Sequence, residues 1–129
     1  MNLFKLGDFI LHSGQKSYWK IDCDALTTED WVTLARIVYE SVGKFRKAIG
    51  IPIGGLKLAK ALKSYQFSNP EYPILIVDDV LTTGKSMERL RQEINDKCIG
   101  VVVFARGECP DWITPLFKVN FEELNDRIN

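Results

Sequence analysis

The chain has 129 residues, 46% of them hydrophobic and 26% charged, and its 17 basic and 17 acidic side chains leave no formal net charge. That length suits one domain over residues 1–129 with a single core, needing neither disulfide nor metal to hold it together. The neutral balance argues against a general nucleic-acid or membrane-surface binder, and no apolar run approaches the roughly 18 to 20 residues that cross a bilayer.

The opening "MNLFKLGDFIL" is broken by Lys5 and Asp8, unlike the continuous apolar segment of a secretory signal. The first twenty-odd residues read as irregular, with "SYWKID" (Ser17–Asp22) as an edge strand. From Asp30 to Lys47, Trp31, Leu34, Ala35, Val38, Val42 and Phe45 recur at helical spacing, and Thr28 is placed to cap the start. "KAIGIPI" reads as a short buried strand ending at Pro52. "GGLKLAKAL" follows as a helix with Leu56, Ala59 and Leu62 on one face. "SYQFSNPEYP" has the composition of a loop.

"ILIV" is a continuous apolar run suited to a strand buried on both faces of a parallel sheet. Met87, Leu90 and Ile94 mark a helix over Ser86–Asp96, and "IGVVVFA" reads as a second fully buried strand. Alternating strands and helices predict an α/β domain with a mostly parallel sheet flanked by helices, Rossmann-like in plan. "RGECPDWITPLF" is expected to cover either a sheet edge or one side of a site, and "FEELNDRIN" to form a short surface helix or frayed end. Trp19, Trp31 and Trp112 are expected in the core or an interface. Cys23, Cys98 and Cys109 are odd in number and without a C-x-x-C pair, so they read as free thiols of a reducing, cytoplasmic setting.

The chemistry concentrates in "ILIVDDVLTTGKS", Ile74–Ser86. In open α/β sheets ligands lie at the carboxyl ends of the strands, where backbone N–H groups before a helix form an anion site. The ending "GKS" imitates a P-loop, G-x-x-x-x-G-K-[ST], but Asp79 occupies the first glycine position and the match fails. Neither "IGIPI" nor "VVVFA" offers the separate metal-binding acid that a P-loop nucleoside triphosphatase needs. Two carboxylates beside a phosphate loop make sense against sugar hydroxyls or a cation, as on a phosphorylated ribose carrying a metal-bound diphosphate.

"ILIVDDVLTTGKS" resembles the 5-phosphoribosyl 1-diphosphate motif of the type I phosphoribosyltransferases. "FILHSGQKSYWKID", "GIPIGGLKLA" and "VVVFARGE" are similar to further segments of the orotate phosphoribosyltransferases, in the same order. The resemblance implies the compact fold of that family and a transferase of nucleotide metabolism. Such an enzyme moves ribose 5-phosphate from the diphosphate donor to a nitrogenous base with Mg²⁺. It implies that Asp78 and Asp79, the catalytic acids, hold the ribose hydroxyls directly or through Mg²⁺. Val80, Leu81, Thr82, Thr83, Gly84, Lys85 and Ser86 would complete the phosphoribosyl site, with 82–86 wrapping the 5-phosphate. Pro52, Ile53, Gly54 and Gly55 would line the pyrophosphate, and Arg106 and His12 would serve the base. Members commonly pair, which implies a homodimer.

The chain departs from the pattern in two places. The family usually carries a strand and a long mobile loop between the pyrophosphate turn and the acidic motif, bringing cations over the leaving group. Here that interval holds only the second helix and "SYQFSNPEYP", which contains no Lys, Arg or His. Lys57, Lys60, Lys63, Arg106 or a neighbouring subunit remain as sources of charge, although a solvated helix face is the ordinary reading of the three lysines. His12 also stands where the orotate enzymes have lysine, and Ala105 where they have an acid. The alternative to an enzyme is a non-catalytic module that binds phosphoribosyl diphosphate or a nucleotide.

Overall fold

The structure, a computed structural model, describes residues 1–119; the expectation for "FEELNDRIN" lies outside them. A hairpin comes first, β1 (Phe4–Ile10) antiparallel to β2 (Lys16–Ile21), with a bulge between Leu6 and Phe9. Helix α1 (Thr28–Val42) leads to β3 (Lys47–Gly50), α2 (Leu56–Ala61) to β4 (Ile74–Leu81), and α3 (Lys85–Glu93) to β5 (Cys98–Arg106); β6 (Ile113–Val119) follows. Strands β3 to β6 form one sheet in chain order, parallel throughout. The parallel α/β plan is as the sequence predicts.

Several boundaries differ from the sequence expectation, each for a local reason. The opening residues are an ordered hairpin, and "SYWKID" lies in its second strand instead of at the edge of the main sheet. Helix α1 is capped by Thr27, not Thr28. Thr27 Oγ1 accepts from the Asp30 N–H at 3.1 Å while Asp30 Oδ2 accepts from the Thr27 N–H at 2.8 Å, closing a capping box. The helix stops at Val42 because Gly43 takes φ +78° as its cap. Phe45 therefore belongs to the following turn, yet it is fully buried in the same core. Strand β4 runs through "DDVL" instead of ending at Val77, so both acids lie within a strand.

The sheet separates two apolar layers. Leu75, Val77, Val101 and Val103 face α1 and α2, meeting Trp31, Leu34, Val38, Leu58 and Leu62. Ile76, Val102, Ala105 and Ile113 face α3, meeting Met87, Leu90 and Ile94. Over Leu75–Val77 and Val101–Val103 alternate residues thus serve opposite layers, as strands buried on both faces must, whereas Phe104 and Ala105 fall out of step, on the α1–α2 and α3 layers respectively. Trp31 and Trp112 lie in these layers, and all three cysteines are free. The segment 107–119 builds the sheet edge itself as β6, and its approach packs Cys109 and Trp112 on the α3 layer.

This arrangement fixes an unusual chirality. The crossovers β3–α2–β4 and β4–α3–β5 step the same way across the sheet but pass over opposite faces, so they have opposite hands. The link from β5 to β6 shares the α3 face, leaving β3–α2–β4 as the odd unit. Right-handed connections make up about 98% of such units, which identifies it as the left-handed one. The chain after α2 then runs past the free edge of β3. The Ala48 N–H donates to Gln66 Oε1 at 2.9 Å and the Phe67 N–H to the Phe45 carbonyl at 3.0 Å. These bonds cover an edge that would otherwise invite pairing with another chain.

Because the capping box is built on Thr27, Thr27→Ala is expected to cost about 1 kcal/mol of stability in urea unfolding. Thr28→Ala should cost a few tenths at most; equal losses would place the cap elsewhere.

Candidate functional site

The carboxyl end of β3 turns sharply through residues 51–55, and the turn is pressed against β4. The Ile51 N–H donates to the Val77 carbonyl at 2.9 Å, the Gly55 N–H to the Ile51 carbonyl at 2.8 Å, and the Pro52–Ile53 peptide is cis. A Cβ at Gly55 would overlap the Val77 carbonyl, and one at Gly54 would overlap the Asp79 carboxylate. Glycine is needed here for close approach of backbone to backbone and backbone to acid. Pro52 and Ile53 are exposed at the crest of the turn.

The two acids are half-buried neighbours with different surroundings. Asp79 faces Gly54, and its Oδ1 accepts from the Val80 N–H at 2.7 Å. Asp78 lines a cavity of about 250 Å³, and its Oδ1 accepts from the Asp79 N–H at 2.8 Å. Burial, reinforced by the adjacent Asp79 carboxylate, pushes the Asp78 carboxyl up to about 8 from an ordinary 3.8. Beneath them the buried Cys23 thiol is pushed up to about 12, first by burial and then by the charge of Asp79. It stays a protonated core group, not a nucleophile.

The rest of the cavity wall is the loop into α3. Val80, Leu81, Thr82, Thr83, Gly84, Lys85 and Ser86 all line it. Gly84 takes φ +76° to start the helix, and Thr83 Oγ1 accepts from the Lys85 N–H at 3.4 Å. Free amides at the start of a nine-residue helix, with hydroxyls around them, suit an anion.

Two cationic side chains join the wall, Lys85 and Arg89, and neither is paired with an acid among the described residues. Arg89 escaped the sequence reading. Its spacing of one helical turn from Lys85 was the available signal. From the opposite side the turn of the β1–β2 hairpin brings His12 and Ser13 to the same cavity.

The predicted residues thus divide. Asp78 and 80–86 share one cavity, and 52–55 meet it through the contact of Gly54 with Asp79. His12 lies with the 82–86 loop, while Arg106 lies outside the cavity wall. The Arg106 Nη2 donates to Ser17 Oγ at 2.8 Å and Nη1 to the Trp19 carbonyl at 3.3 Å. Its guanidinium stacks 3.7 Å from the Trp19 ring centre, a contact type of about 0.5–2 kcal/mol. Lys57, Lys60 and Lys63 are exposed, and Lys57 lies 3.7 Å from Asp24.

No group of three or more His, Cys, Asp and Glu able to hold a metal occurs among the described residues. A cage made by protein alone does not fit. Two adjacent carboxylates do fit Mg²⁺, which typically keeps waters and binds through one or two carboxylates plus ligand phosphates.

No protein-family model matches the sequence, and no curated protein matches it. Solved structures do. The orotate phosphoribosyltransferase of Aeropyrum pernix superposes with a TM-score of 0.72 at 23% identity, over 98% of this chain and 93% of that one. The Francisella tularensis orotate phosphoribosyltransferase gives 0.61 at 18% identity, over 98% and 84%. That of Mycobacterium tuberculosis, solved with Fe(III) dicitrate, gives 0.63 at 15% identity, over 90% and 89%. The chain has the type I phosphoribosyltransferase fold, of the orotate phosphoribosyltransferase kind.

Two outcomes follow from the geometry. Gly55→Ala, which meets backbone, should lower stability by about 2–3 kcal/mol, whereas Gly54→Ala, which meets a movable carboxylate, should lower it by less than about 1 kcal/mol; urea unfolding compares them. The raised Asp78 carboxyl binds a proton in the folded chain that the unfolded chain has released between about pH 4 and pH 8. Stability therefore falls with rising pH across that window. In metal-free buffer Asp78→Asn should raise the melting temperature at pH 8, with the gain fading toward pH 4; a gain independent of pH would refute the assignment.

Proposed function

We propose that this protein binds 5-phosphoribosyl 1-diphosphate together with Mg²⁺ and transfers its ribose 5-phosphate to a nitrogenous base. One observation carries the reading: the 52–55 turn and the 82–86 loop meet through an acid pair at the carboxyl ends of adjacent parallel strands. Asp79 abuts the turn and Asp78 opens into the cavity of the loop. A ligand with a phosphate at one end, a diol in the middle and a diphosphate at the other matches that order. The orotate phosphoribosyltransferase fold supports it.

In this reading the 82–86 amides and hydroxyls hold the 5-phosphate, with Lys85 and Arg89 adding positive charge and His12 a ring nitrogen for hydrogen bonding. Asp78 and Asp79 orient the ribose diol; the negative charge of Asp79, joined by that of Asp78 once it loses its proton on Mg²⁺ binding, favours the cationic, oxocarbenium-like sugar formed as the C1–O bond breaks. The exposed 52–55 turn receives the pyrophosphate. Mg²⁺, when bound, would neutralise the leaving pyrophosphate.

A second reading, a binding module without turnover, is favoured by the path of the chain after α2. Residues 66–73 are anchored at the amino end of the sheet, away from the acids. Arg46 donates to the Pro70 and Tyr72 carbonyls at 3.2–3.3 Å and to Asp96 at 2.9 Å, so this segment is no lid.

Calorimetry should show Mg²⁺-dependent binding of phosphoribosyl diphosphate that is lost in Asp78→Asn/Asp79→Asn. Absence of binding to the wild type, or equal binding by the double variant, overturns the assignment. Pyrophosphate release across purines, pyrimidines and nicotinate-like acids then separates the two readings, since release with any base removes the binding-only one.

A further inference from the structure

Arg106 ends β5, the strand beside the acid-bearing β4, but its side chain turns toward β2 of the hairpin. There three groups form one knot. Arg106 donates to Ser17 Oγ and to the Trp19 carbonyl. The Ser17 hydroxyl itself donates to that carbonyl at 2.5 Å and accepts from the Trp19 N–H at 3.3 Å. The guanidinium plane covers the indole. Arginine suits this place because its fork and its flat face are used together.

The hairpin needs such a fastening. It is a two-stranded ribbon, bulged between Leu6 and Phe9, and Leu6, Ile10 and Tyr18 are exposed; a ribbon of that kind is marginal by itself. Its other attachments gather at its open end. Phe4 packs edge-on against Phe104, and Leu3 and Ile21 pack on the α1–α2 layer of the core. The turn that carries His12 and Ser13 lies at the far end, against the cavity of Asp78 and the 82–86 loop. Ser17, by contrast, is paired with Phe9, next to that turn.

We propose that Arg106 is a positioning residue: it clamps the β1–β2 hairpin across the carboxyl edge of the sheet and holds His12 and Ser13 over the cavity, so that the hairpin is the cover of the site. The clamp stands on the contacts themselves; its effect on a ligand rests on the function proposed above. Arg106 acts through the hairpin and not by touching the base. The segment after α2, tied down at the other end of the sheet, leaves that covering role to the hairpin.

Hydrogen exchange read by mass spectrometry on the ligand-free full chain tests the clamp. Arg106→Ala should speed exchange across residues 5–20 by about tenfold or more while β4 and β5 keep their protection. Arg106→Lys, which keeps the charge without the fork and plane, should behave like Arg106→Ala. Unchanged hairpin exchange, or rescue by lysine, overturns the proposal whether or not any ligand binds. If Arg106→Ala fails to fold, Trp19→Leu and Ser17→Ala loosen the knot from the hairpin side, with the same outcomes.

A double-mutant cycle with His12→Ala, read as binding of Mg²⁺ and phosphoribosyl diphosphate, tests the route of action. Adding His12→Ala to Arg106→Ala should weaken binding by less than about twofold, because both remove the same cover. Fully additive losses make Arg106 a direct ligand contact and overturn the proposal. A wild type that binds nothing defeats the proposed function instead, and the exchange experiment alone then decides the clamp.

Discussion

The close contact between the turn after β3 and the end of β4 governs the carboxyl edge of this molecule. Gly55 lies on the Val77 carbonyl and Gly54 on the Asp79 carboxylate, so a side chain at 55 would strike fixed backbone and one at 54 would displace the acid. The same contact directs the two acids. With Asp79 occupied by the turn, Asp78 is the carboxylate left to face the cavity, and its burial follows from the packing of β4 between β3 and β5. Any ligand held at Asp78 is therefore within one residue of a turn whose backbone is already fixed. Preorganisation of this kind removes the ordering cost that a flexible site would meet on binding.

The left-handed β3–α2–β4 unit and the anchoring of residues 66–73 at the amino end of the sheet are one structural fact. The orotate enzymes that the sequence resembles place a strand and a mobile loop between the pyrophosphate turn and the acidic motif. Here α2 leads straight to β4, across a face from which only a left-handed step is available. The cost of that hand is met by anchoring. Gln66 bonds to the free edge of β3 and Phe67 to the Phe45 carbonyl just before it, Arg46 gathers the Pro70 and Tyr72 carbonyls, and Tyr39, Phe67 and Tyr72 pack edge to face. Each tie that stabilises the short connection also keeps it at the amino end of the sheet. A segment so committed cannot close over a ligand at the carboxyl end.

Much of this was legible in the sequence, and the parts that were not share a cause. Continuous apolar runs predicted β4 and β5, and helical spacing predicted α1 and α3, because strands buried on both faces and amphipathic helices write themselves as patterns. The phosphate loop and acids were readable as a motif whose members fall together on the cavity. What failed to read depends on contacts between distant segments. Phe45 keeps the helical period yet lies beyond Gly43, since it fills the core from a turn. The hairpin looked irregular because its bulge breaks the alternation and its outer residues are apolar. Trp19 and Arg106, far apart in the chain, gave no sign in the sequence that they stack.

The distribution of charge around the acids bears on how binding and turnover divide. His12, Lys85 and Arg89 gather on the side of the 82–86 loop. The 52–55 turn opposite presents exposed Pro52 and Ile53, and the lysines of α2 are solvated, with Lys57 near Asp24. In the proposed orientation the first side holds a phosphate that is unchanged by reaction, and the second holds the group that departs. Charge on the first side strengthens ground state and transition state alike, which aids binding and leaves the chemical step unaccelerated. A cation about 4 Å from the developing pyrophosphate charge would be worth about 4 kcal/mol near a protein surface, roughly a thousandfold in rate. The described residues place no such cation there, so Mg²⁺ or a second subunit would have to bring it. In that orientation firm binding and a turnover dependent on an added cation would both follow from the same lopsided field.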